Sequence, residues 1–91
     1  MNTQTITEEL LRLLEGEGVA LRREAMGGSG GGLCVFRDKK VYFFDTDAGA
    51  YEAACVCAKA VFQVIGDLEN VYLKPAVREF IDRNTGAGTA E

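Results

Sequence analysis

A chain of 91 residues with 47% apolar and 26% charged side chains has room for one domain and one core, and lies well away from disordered composition. Ten Lys and Arg against fourteen Asp and Glu leave a formal net charge of −4, the wrong balance for a protein that works through nucleic-acid phosphates. No His is present, which removes the commonest general base and the commonest metal ligand together.

The three Cys are an odd number, and no charged stretch followed by an apolar run opens the sequence, so a cytoplasmic, reducing setting is expected. Thr5 followed by Glu8 fits a capping box for a first helix. Ile6, Leu10, Leu13 and Leu14 form its apolar stripe, widened by Leu11, with Glu8 and Arg12 paired on the other side. Gly16 and Gly18 end it. Val19 to Ala25 reads as a strand with Val19 and Leu21 inward, while Arg22, Arg23 and Glu24 mark a charged edge. The glycine run Gly27-Gly28-Ser29-Gly30-Gly31-Gly32 is a connector to the next strand.

Leu33-Cys34-Val35-Phe36 and Val41-Tyr42-Phe43-Phe44 are apolar at every position, which implies that both faces of the sheet are covered. A tight turn near Asp38-Lys39 joins them, and a two-residue loop there sets Phe36 opposite Val41 and Val35 opposite Tyr42. Asp45-Thr46-Asp47 supplies N-cap chemistry for a helix over Ala48–Ile65, whose only charges are Glu52 and Lys59. That helix approaches membrane-spanning length, yet each charge costs about 2.5–3.5 kcal/mol at a bilayer centre, so no membrane partner is expected. Gly66 fits the position after its end. Asn70–Leu73 reads as a short extra strand or an extended connector, and Pro75 opens a last helix. Ala76, Val77, Phe80 and Ile81 share one face of that helix, with Arg78–Asp82 and Glu79–Arg83 opposite. The expected fold is one α+β domain over residues 1–84, a three-stranded antiparallel meander packed with three helices in the order α-β-β-β-α-α, followed by a loose tail, 85–91.

Several residue groups suggest chemistry. Clustered glycine N–H groups can cradle an anion, so Gly28, Gly30 and Gly31, with Arg22 or Arg23, form a candidate ligand site. Against it, the run matches neither G-x-G-x-x-G nor a G-K-[ST] ending, and it leads into a strand where the motif requires a helix. Cys55 and Cys57 lie two apart on a helix and point about 200° away from each other, so with Cys34 they do not make a zinc site. Cys57 falls opposite the polar stripe of Glu52, Lys59 and Gln63 and reads as core, whereas Cys55 borders it and is the candidate for a reactive thiol. Capping explains Asp45 and Asp47 more simply than a magnesium or calcium site. No cofactor and no metal are expected, and Tyr42, Tyr51 and Tyr72 read as residues of the core rim.

Two family patterns are approached and missed. The order helix–strand–strand–strand–helix resembles the double-stranded RNA-binding domain, whose second helix starts with a lysine-rich phosphate clamp; Asp45-Thr46-Asp47 stands in that place here. Tyr51-Glu52-Ala53-Ala54-Cys55 keeps only the Glu of the H-E-x-x-H helix of compact zinc metalloproteases. Across most of the chain, Gly31-Gly32-Leu33-Cys34, Lys40-Val41-x-Phe43-x-Asp45 and Val71-Tyr72-Leu73-Lys74-Pro75-x-Val77-Arg78-Glu79 resemble a group of short uncharacterised bacterial proteins, a likeness that implies no activity.

The apolar surface exceeds what two short amphipathic helices can cover, so a homo-oligomer, as a two-fold dimer, or a protein-docking module is expected. If all helices lie on one side of the sheet, the open side holds either Cys34, Phe36, Val41 and Phe43 or Leu33, Val35, Tyr42 and Phe44. A small-ligand or anion-binding module using the Gly27–Gly32 loop is the alternative, and a thiol enzyme centred on Cys55 the third class. Nucleic acid is not an expected partner.

Overall fold

In the computed structural model, which describes residues 2–28, 31–66, 68 and 71–85, the chain runs α1 (Thr3–Gly16), β1 (Ala20–Glu24), β2 (Gly32–Phe36), β3 (Lys39–Asp45), α2 (Ala50–Ile65) and α3 (Pro75–Thr85). The stripe of α1 is its buried face, with Ile6, Leu10, Leu11 and Leu14 in the core. Its cap is Asn2 and not Thr5: the Asn2 Oδ1 accepts the Thr5 N–H at 2.8 Å. Arg12 pairs with Glu9 at 3.0 Å instead of with Glu8, and Glu9 also takes the Lys74 ammonium at 3.1 Å. The Lys74 hydrogen bond leads the effects that hold the Glu9 carboxyl below its ordinary range.

The sheet is mixed, not an antiparallel meander. Its order is β1-β3-β2, with β1 parallel and β2 antiparallel to β3. The connector after β1 is too long to act as a hairpin turn, and it passes the end of β3 to bring β2 to that strand's other side. The most buried strand thereby takes the centre, and the charged β1 takes an edge. The turn between β2 and β3 is Arg37-Asp38, one residue earlier than expected, with both residues at positive φ (52° and 68°) as a type I′ hairpin demands. Phe36 therefore faces Lys39 and Val35 faces Lys40, in place of Val41 and Tyr42. Moving the turn by one residue shifts the pairing by two, so every side chain keeps its face.

Tyr42 stands opposite Leu21 on one side and Leu33 on the other, so these three share a face. Tyr42 is fully buried, and Leu21, Leu33 and Phe44 pack against the same core. α1 lies against β1, α2 lies against β2 and β3, and α3 packs on α1 and α2. All three helices thus stand on the Tyr42 side. Pro75 opens α3, whose Val77, Phe80 and Ile81 are buried, and the Phe80 ring meets Tyr51 edge-on at 5.9 Å between centroids. Arg78 does not pair along the helix face; its Nη2 donates to the carbonyls of Leu68 and Val71 at 3.1 and 3.3 Å. Val71 to Lys74 join no strand, which leaves the extended connector, and Asn70 lies outside the described residues. Thr85 belongs to α3, and 86–91 lie outside the described residues. Among the described residues, no helix is long and apolar enough to cross a membrane.

Candidate functional site

Asp45 and Asp47 do not cap α2, whose N-cap is Gly49 without a side-chain bond. They hold the glycine connector. The buried Asp45 Oδ1 accepts the N–H groups of Met26 at 3.0 Å and Asp47 at 2.8 Å, and Asp47 Oδ2 accepts that of Gly27 at 3.0 Å. Thr46 N–H donates to the Glu24 carbonyl at 3.0 Å, closing the strap. The N–H groups of Met26 and Gly27 at the start of the connector are therefore engaged by carboxylates, which also repel anions.

The remaining members of the loop site are dispersed. Gly31 sits at φ +70 where an added Cβ would collide with the Phe43 carbonyl oxygen, so its role is close backbone approach. Gly28 has only the Asp47 carbonyl at 4.0 Å from such a Cβ, and Gly30 lies outside the described residues. Arg22 and Arg23 point to opposite faces of β1, as strand alternation requires. Arg22 pairs with Glu24 at 2.8 Å. Arg23 lies over the Phe44 ring, 5.9 Å from its centroid, and lines a cleft of about 330 Å³ with Gln4, Thr7, Glu8 and Leu11 of α1.

The cysteines divide by environment. Cys57 is fully buried, and burial pushes its thiol up to about 12, an effect tempered by Tyr42. Tyr42 is itself raised far above the ordinary phenol range, by burial first and by Cys57 second. Among the described residues the Tyr42 hydroxyl has no hydrogen-bond partner of ordinary geometry, and the adjacent thiol is a weak substitute for one. Cys55 is half-buried at the edge of the core, and Cys34 is exposed. Among the described residues, no three Cys, Asp or Glu gather as metal ligands.

The open side of the sheet carries the first of the two expected rows. Cys34 stands beside Val41 and Gly32 beside Phe43, with Phe36 at the hairpin end. None of Cys34, Phe36, Val41 and Phe43 belongs to the core. The alternation in sequence separated the two rows, but both are apolar, and which one met the helices was not legible. Cys34, a member of that row, is the exposed cysteine of the three. Comparisons with family models, curated proteins and solved structures find no match to this chain.

Proposed function

We propose that the chain is a non-enzymatic, self-associating module of the cytosol, joined to its own kind through the uncovered apolar part of its sheet. One observation carries this role: α1, α2 and α3 all stand on the Tyr42 side, and among the described residues no layer lies over the row Cys34, Phe36, Val41 and Phe43. A row of that size presents on the order of several hundred Å², the scale of an interaction site. Closed two-fold assemblies are the commonest form of self-association, and the uncharged outer edge of β2 adjoins this row. The carboxylates on the glycine connector favour association over anion binding there. Light scattering across a concentration series is expected to show a dimer mass. A monomer mass persisting at tens of micromolar overturns the proposal.

A second role, a small-anion module, is favoured by the placement of Arg23 on the wall of the cleft beside α1. Phosphate or a common nucleotide that raises the melting temperature with dose, and fails to do so in Arg23→Ala, decides for it.

A further inference from the structure

Resting on self-association, we propose that two copies join edge to edge along β2, antiparallel about a two-fold axis at Cys34, to make one six-stranded sheet. The two edges of the sheet differ sharply. β1 carries Arg22, Arg23 and Glu24, all exposed, which is ordinary protection against strand addition. β2 carries Leu33, Cys34, Val35 and Phe36, with no charge and no proline, and Val35 and Phe36 are 63% and 67% exposed. A bare, uncharged edge of this kind is a template for another strand.

Hydrogen-bond direction and side-chain shape select the same register. The two-residue loop Arg37-Asp38 closes on the pair Phe36 and Lys39, so alternation points the main-chain groups of Phe36, Cys34 and Gly32 at β3. Those of Leu33 and Val35 point to the free edge. β2 is five residues long, between Gly31 and the left-handed Arg37. The antiparallel register that pairs all five sets Cys34 on the partner's Cys34. It brings Leu33 against the partner's Val35, so the outward donors and acceptors meet each other. It also lays Phe36 across the partner's Gly32, where the missing side chain leaves room for a ring. The strand has no charge, so no like charges are brought together by this pairing.

One short strand per copy buries less than about 1,200 Å² in total, the size class of weak and transient association. Val35 decides the arrangement because its N–H faces the edge and its side chain faces the helix side. Val35→Pro removes a donor that β3 does not use, and Val35→Lys places a charge on the edge without touching the open face. Each is expected to weaken dimerisation at least tenfold by light scattering, with the monomer's circular dichroism retained. Cys34 offers an independent readout. Facing residues of a non-hydrogen-bonded antiparallel pair lie about 4.5 Å apart at Cα, within disulfide range, so diamide should link Cys34 to the partner's Cys34, identified by peptide mass. A wild-type dimer that survives both Val35 substitutions and gives no Cys34 link overturns edge pairing while leaving self-association standing. A wild-type monomer at tens of micromolar overturns both.

Discussion

Cys57 of α2 and Tyr42 of β3 meet at the centre of the core, each fully buried and each harder to ionise than in water. The consequence is a stability that depends on alkaline pH. Below pH 9, the ordinary value for a thiol, Cys57 is protonated whether folded or unfolded and makes no difference. Above it the unfolded thiol loses its proton while the folded one holds on until about 12, so stability falls as pH rises through that window. The slope is about 1.4 kcal/mol per pH unit, and Tyr42 adds to it once the unfolded phenol ionises. Denaturant midpoints taken between pH 8 and 10.5 are expected to drop less steeply in Cys57→Ala than in the wild type; parallel slopes would remove Cys57 as a cause.

Among the elements, the glycine connector is the most tightly specified by its surroundings. Gly31→Ala forces a Cβ into the Phe43 carbonyl at a left-handed backbone, and is expected to destabilise by about 3 kcal/mol in urea melts. A change below 1 kcal/mol would mean the connector yields freely. The helices were legible from the spacing of Ile6, Leu10 and Leu14 or of Val77, Phe80 and Ile81, because one apolar stripe has one way to be buried. The division of the strand residues into two rows was legible too, since it survives a slip of the turn by one residue. Strand order was not. Arg22, Arg23 and Glu24 announce an edge, but an edge strand can pair with β2 or with β3, and the grip of Asp45 and Asp47 on Met26 and Gly27, far off in the sequence, goes with the pairing to β3. Acidic residues before a helix look the same whether they cap it or grip a distant loop, which is why Asp45 and Asp47 were misassigned. For the site, the sequence held two apolar rows of similar size, and nothing local to either marks which one the helices choose.

At the scale of the whole molecule, the central place of β3 joins two partners that reach it by unlike routes. β2 arrives through a two-residue turn, a closure that proceeds in about 1–10 μs in isolated hairpins. β1 must come from beyond the glycine connector and align in parallel with no local turn to guide it, so its docking, together with α1, is expected to follow the hairpin. Chevron kinetics separate the two events. Asp38→Gly relieves a left-handed residue in the early turn and is expected to speed folding with little change in unfolding, whereas Leu21→Ala should act mainly on unfolding. The reverse pattern would put β1 first. In the interval before β1 docks, the central strand has its flank bare, and a neighbouring chain in the same state can occupy it. Refolding yield is therefore expected to decline as protein concentration rises, a vulnerability of the journey that the finished sheet, edged by Arg22, Arg23 and Glu24, no longer shows on that side.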